Sequence, residues 1–246
     1  MKKLCFYIQK GGVGKTSISG NVADTIARLG HKTILVDCDP QGNASSWLYP
    51  ETPEKDIAHV LGGTAQAADV IREIVPNLFL LPVIAIGGDL KKWSETELVQ
   101  NPKAFEFLNE DLAKLGFEVA VYDCSPSFSQ LERAVLAEMD EVINPLTPEF
   151  FSIDGIETFT YELAKIEKAH RRQIINNKIV VNMMNLSFVR HKEFHKELGK
   201  LNYRIFTIPQ DSKVAECQIA HHAVYHFTRS ARAIPEYEAI AKAIVG

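Results

Sequence analysis

The run Lys10-Gly11-Gly12-Val13-Gly14-Lys15-Thr16-Ser17 sets two lysines and two hydroxyls in a glycine-rich turn. Those residue types at that spacing can hold a chain of phosphates. Glycine lets a backbone turn tightly and bring several N–H groups close to one anion. A helix starting at the end of the turn adds the positive end of its dipole. Gly11, Gly12, Val13, Gly14, Lys15, Thr16 and Ser17 are therefore the candidate cradle for a nucleotide. Lys15 would reach the β- and γ-phosphates, and Thr16 would turn its hydroxyl to Mg²⁺. The flanks supply the required context: residues 4–8 are an apolar run suited to a buried strand, and Ile18, Val22, Ile26 and Leu29 recur at helical spacing.

Carboxylates form the second group. Asp37-Cys38-Asp39-Pro40-Gln41-Gly42-Asn43 places two acids on one turn just after the apolar run 33–36. Asp and Asn favour turns for local reasons, so alone the segment also fits a capped turn. Beside a phosphate cradle it fits the handling of metal and water. Asp123 closes another apolar run, Val119-Ala120-Val121-Tyr122, in the Walker B arrangement. One acid there can hold Mg²⁺ through water, since phosphate-bound Mg²⁺ takes few protein ligands.

Measured against the pattern G-x-x-x-x-G-K-[ST], the chain has Gln9 where the first glycine would stand. The turn instead resembles the deviant Walker A motif K-G-G-x-G-K-[ST] of the ParA/MinD family of ATPases, matching every specified position. That resemblance implies ATP and Mg²⁺ as cofactors, and Lys10 as the lysine that crosses a dimer interface to the partner's phosphates. The acidic turn resembles the family's switch I motif D-x-D-P-Q-G-N. By resemblance, Asp39 positions or activates the attacking water, and Asp37 supports the site and joins Thr16 and Asp123 as a metal candidate. Lys10, Lys15 and Asp39 are the candidate catalytic residues. Where the family commonly has D-x-P-P, this chain has Ser125 at the first proline. That change bears on how stiff the second switch is. The stretch from Asn144 to Gly155 looks like the family's P-x-x-P-E-[FY] region near the dimer interface, with Glu149 a candidate interface residue. Asn182 and Pro209 resemble the strand ends that hold the adenine base.

Apolar, β-branched runs at 33–36, 78–83, 119–122, 142–146, 179–181 and 203–208 must position these residues. They are separated by segments of helical length, of which 102–115, 151–170 and 192–201 show apolar spacing of three and four. The expected fold is α/β: a mostly parallel central sheet with helices on both faces, of the deviant Walker A P-loop type. Ligands of such sheets sit at the carboxyl ends of the strands, where the motifs fall. Gly87-Gly88 reads as a turn. The 246 residues carry no repeat, low-complexity tract or linker, so a single domain over 1–246, without a helix-turn-helix domain, is expected. With 46% hydrophobic and 24% charged residues, disordered and fibrous classes are excluded. Neither a signal peptide nor a membrane span fits the start, and a cytoplasmic protein is expected. The four scattered cysteines read as buried, reduced thiols.

Family resemblance leaves the cargo open. Partitioning members bind DNA nonspecifically as ATP dimers, and cell-division members bind membranes through a C-terminal amphipathic helix. The last residues here, Pro235 to Gly246, hold two glutamates and one lysine, which disfavours a membrane surface. Basic residues gather instead at Arg190, His191, Lys192, His195, Lys196 and Lys200, then Lys213, Arg229 and Arg232. Arg190, Lys213, Arg229 and Arg232 are the candidate DNA contacts, to phosphates rather than bases. A solvated helix face is the alternative for the first cluster, since Glu193 and Glu197 interleave with it. The histidines at 191/195 and at 221/222 with 226 read as structural, not metal-binding. The expectation is thus a homodimerising, nucleoid-associated partition ATPase stimulated by a ParB-type partner. The alternative is a switch of the same fold that positions a protein cargo or regulates another process. A third reading, an iron protein, lacks a second suitable cysteine after Cys124 before Cys217.

Overall fold

The computed structural model describes residues 1–149 and 152–246. Its strands are β1 (Lys2–Phe6), β2 (Thr33–Asp37), β3 (Arg72–Val75), β4 (Leu78–Leu81), β5 (Val119–Asp123), β6 (Glu141–Leu146), β7 (Lys178–Met184) and β8 (Arg204–Pro209). Among the described residues they form one sheet in the order β3-β4-β2-β5-β1-β6-β7-β8. Every neighbouring pair is parallel except β3 with β4. The mostly parallel sheet expected from the sequence is therefore the one observed.

β3 was not expected. Two of its four residues, Arg72 and Glu73, are charged, so it carries no apolar run. It is an edge strand, paired on one side only, and joins β4 through Pro76 and Asn77, whose φ is 68°. An edge needs to bury little, and charge there discourages pairing with another chain.

The central strands alternate between two apolar layers, as a period of two requires. Leu4, Phe6, Leu35 and Val121 pack with Ile18, Val22 and Ile26 of the helix Lys15–Arg28 and with Tyr237, Ile240 and Ile244 of the helix Ile234–Val245. Cys5, Tyr7, Ile34, Val36 and Tyr122 face the opposite layer. There they meet Phe105 and Leu108 of the helix Ala104–Lys114, Val135 of Gln130–Glu138, and Phe159 and Leu163 of Ser152–His170. Each fully buried Leu, Ile or Phe contributes about 1.5–3 kcal/mol relative to exposure. Leu29 lies one residue past its helix and is 42% exposed, so the expected periodicity runs one step too far. The expected helix 151–170 is observed as Ser152–His170, and Phe151 lies outside the described residues, as does Phe150.

Boundaries shift elsewhere too. The expected helix 192–201 is Val189–Leu198, because the Asn185 side chain accepts from the Ser187 N–H and turns the chain early. Lys200 consequently falls beyond that helix, in the turn after Gly199. For the site, the decisive feature is register. β5 lies between β1 and β2, and Asp37 pairs directly with Asp123. Both acids and the glycine turn after β1 therefore meet at the carboxyl edge of the sheet.

Candidate nucleotide site

Gly12 and Gly14 adopt φ of 74° and 89°, a region that side chains disfavour. At Gly14 glycine is required twice over, since a Cβ there would also overlap the Asn182 amide. Gly14 begins the helix Lys15–Arg28, whose start has no side-chain cap and no acid in its first turn. The first-turn N–H groups are thus left for an external anion. Lys15 is buried and folds back over the turn, donating to the Lys10 carbonyl at 2.7 Å. Burial lowers its pKa, while Asp123 and Asp39 pull the other way.

Asp123 is the least satisfied group in this neighbourhood. Both carboxylate oxygens are buried and without a hydrogen-bond partner among the described residues. Its pKa is raised, first by burial and then by the charge of Asp37. The Thr16 hydroxyl is near enough to oppose that rise without reaching hydrogen-bond geometry. Leaving a carboxylate in this state is costly unless a cation arrives. An orphaned acid beside a threonine hydroxyl is a donor set that fits Mg²⁺, which keeps several of its own waters.

Asp37 is differently placed. Its Oδ2 accepts from the Ser45 N–H at 2.8 Å and the Ser45 hydroxyl at 2.7 Å, and Oδ1 accepts from the Asp39 N–H at 3.1 Å. Burial nonetheless raises its pKa to about 7. About four acceptor sites exist on a carboxylate, so most of this one is committed to shaping the turn. Asp39 keeps one oxygen on the Gln41 N–H at 2.9 Å and is raised by burial. It lines an open cleft of about 540 Å³ together with Gln41, Ser125, Ser129 and Glu132.

Ser125, at the position where a proline was expected, is tied down by hydrogen bonds. Ser125 donates to Glu132 at 2.7 Å, and its oxygen accepts from the Ser127 N–H at 3.2 Å. Glu132 also accepts from the Ser129 N–H and hydroxyl at 2.9 and 2.5 Å, closing a capping box on the helix Gln130–Glu138. Its pKa falls because these hydroxyl and amide donors outweigh its burial, the largest opposing influence. Stiffness that a proline ring would supply is here built from hydrogen bonds.

Three sequence candidates sit around the rim. Lys10 makes an ion pair with Glu149 at 2.6 Å, and this pair holds the Glu149 carboxyl below its usual range. Asn182 donates to the Val13 carbonyl at 3.0 Å and accepts from the Met183 N–H at 2.9 Å, tying the glycine turn to β7. Its amide retains one further N–H. Pro209 ends β8 opposite Met184, at the adjoining strand end. The four cysteines are buried, with Cys5 and Cys124 sulfurs 3.9 Å apart.

The basic candidates separate. Lys213, Arg229 and Arg232 belong to the segment after β8, whereas Arg190 is the second residue of the helix after β7 and shares a cleft with Glu149. Lys213 pairs with Glu216 at 2.6 Å, and Arg232 donates to the Gln210 carbonyl at 2.6 Å. Arg229 lies 5.2 Å from the Tyr225 ring, over which Arg28 also sits at 3.5 Å. The histidines serve this scaffold: His191 accepts from the Asn185 N–H at 3.0 Å, His221 meets the Ser46 carbonyl at 3.1 Å, and His226 pairs with Asp24 at 2.8 Å.

Sequence reasoning missed the joint between these regions. Gln218 donates to the Ser17 hydroxyl at 2.7 Å, the Val224 N–H donates to Asn21, and Trp47 donates to the His222 carbonyl at 2.9 Å. The Trp47 ring lies against Gly20, where a Cβ would overlap it. A glycine inside a helix was the available signal, since it costs helix stability and marks close approach.

A family model described as an AAA domain matches residues 1–180. The uncharacterized protein BBD21 of Borreliella burgdorferi is 37% identical over 246 residues, covering 99% of each chain. The chromosome-partitioning ATPase Soj of Thermus thermophilus is 29% identical over 91% of this chain and 89% of its own. Among solved structures, a Cyanothece McdA–ATP complex superposes with a TM-score of 0.84 at 17% identity, covering 100% of this chain and 96% of that one. With this sheet order and the deviant lysine turn at its edge, the chain belongs to the AAA domain family and, within it, to the ParA/MinD ATPases.

Proposed function

We propose that this chain is a single-domain, Mg²⁺-dependent ATP hydrolase that closes as a face-to-face dimer on ATP. In this reading it partitions DNA, using nonspecific DNA as its track and a ParB-type partner to stimulate hydrolysis. The observation that carries it is the orphaned Asp123 carboxylate beside Thr16 and an uncapped helix start, which puts a cation site next to an anion site. The amides from Gly11 to Ser17 would cradle the phosphates, and Asn182 and Pro209 would flank the base. Thr16 and Asp123 would hold Mg²⁺, with Asp37 behind them. The metal, when bound, neutralises charge developing on the phosphoryl group.

Asp39 orients the attacking water, and burial, by raising its proton affinity, suits it to accept a proton. Lys15 contributes its charge within the protomer and Lys10 across the interface. The Lys10–Glu149 pair is 33% and 62% exposed on its two side chains, so releasing it costs at most about 1 kcal/mol. Lys213, Arg229 and Arg232 would contact DNA phosphates, and the protein would work in the cytoplasm at the nucleoid. Among the described residues no helix is long and apolar enough to cross a membrane.

Phosphate release with ATP and Mg²⁺, and sedimentation with a non-hydrolysable analogue, test the reading. Turnover should stop on chelation and a dimer should form only with analogue and metal. A chain that binds no nucleotide would overturn it. One observation favours a second reading, a switch that moves a protein cargo without touching DNA: Lys213 and Arg232 already have partners within the chain.

A further inference from the structure

Lys10 emerges after β1, and Glu149 follows β6, the sheet neighbour of β1. Their ion pair at 2.6 Å therefore spans two adjacent strand ends. A second cation near Glu149 is Arg190, the second residue of the helix Val189–Leu198. Both line an open cleft of about 920 Å³, with Asp154 and Glu193 also on its wall. After that of Lys10, the Arg190 charge also stabilises the Glu149 carboxylate, and Lys196 lines the same cleft. Arg190 is exposed, lies 5.6 Å from the Phe188 ring and makes no ion pair among the described residues. One carboxylate thus has a cation in place and a second lining the same cleft.

We propose that Arg190 is the replacement counter-ion: when Lys10 leaves Glu149 for the partner's phosphates, Arg190 closes on Glu149. Dimerisation then exchanges an ion pair instead of breaking one. The inference rests on the reading of Lys10 as a lysine that acts across the interface. Its physical basis is desolvation. A carboxylate at the edge of a closing interface loses water, and an uncompensated charge there opposes closure. The guanidinium is permanently charged and matches a carboxylate with two parallel donors. Arg190 would be a positioning residue, acting on dimerisation through Glu149 and not through the nucleotide.

The test is the dimer dissociation constant with a non-hydrolysable ATP analogue and Mg²⁺, measured by sedimentation velocity. Arg190→Gln should raise it about fivefold to twentyfold, one exchange being lost in each protomer. Arg190→Lys should recover only part of the loss, because an ammonium restores the charge but not the two parallel donors. In a Glu149→Gln background, Arg190→Gln should change the constant by less than about twofold, because its partner is gone. An equal effect in both backgrounds overturns the proposal. So does an unchanged dimer constant with weakened DNA binding, which would make Arg190 a DNA contact. Lys10→Gln separates the layers: if it dimerises like the wild type, the cross-interface reading fails, whereas loss there with a silent Arg190→Gln refutes the exchange alone.

Discussion

The phosphate turn and the segment after β8 both sit at ends of sheet strands, yet they are held in opposite ways. The turn takes its shape mainly from contiguous residues, namely two left-handed glycines, a helix start without a cap, and Lys15 folded onto the Lys10 carbonyl, with Asn182 of β7 adding a nonlocal tie through the Val13 carbonyl. The segment from Asp211 to Arg232 is held by contacts borrowed from elsewhere. Gln218 leans on Ser17, Val224 on Asn21, His226 on Asp24, and His222 on Trp47. Three of those four anchors lie on the helix that begins at the phosphate turn. The conformation of one region is thus largely its own, while the segment proposed to contact DNA depends on the first region for its position.

Changes in the turn should be severe and changes in the joint graded. Lys15→Ala should weaken ATP binding by about 100-fold or more, a loss of roughly 2.7 kcal/mol, by titration calorimetry. Gly14→Ala should match it, since the new methyl meets Asn182. Unchanged affinity in either variant would break the comparison at its stronger end. Asp39→Ala should leave ATP binding intact, lower turnover by about 10²-fold or more and trap the dimer. Normal phosphate release there would remove its assigned role.

In the joint, Gly20→Ala should cost about 1–3 kcal/mol in denaturant unfolding, because the methyl displaces Trp47. The smallest effect concerns His226, whose pKa is raised first by its hydrogen bond to Asp24. A histidine with a raised folded pKa adds stability that is complete below its unfolded pKa and is lost as pH rises through the folded one. Comparing wild type with His226→Gln, the gap in melting temperature should be wider at about pH 6 than at about pH 9. A gap independent of pH would mean that the charged pair is not what holds this corner.

The same contrast explains what could be read in advance. Lys10 to Ser17, Asp37 to Asn43 and Asp123 carry their context in neighbouring residues, so their meeting at one edge of the sheet was legible. The alternating apolar runs gave the parallel sheet for the same reason. Charged β3 was invisible because an edge strand need not bury both faces. The early start of the helix at Val189 depends on an Asn185 turn that periodicity does not register. The Ser17–Gln218 bond joins residues 201 positions apart, and the Gly20–Trp47 contact also joins residues that are not neighbours in sequence. The Ser125 substitution reads as a weakness until Glu132 is seen beside it.

The central claim is that the state of the phosphate turn governs what the basic segment binds. Its most direct test is binding of nonspecific double-stranded DNA at about 100 mM salt, with ATP, ADP or no nucleotide, by wild type and Arg229→Glu. The account predicts binding only with ATP, weakened by salt and lost in the variant. Equal binding in all nucleotide states, or none in any, would contradict it.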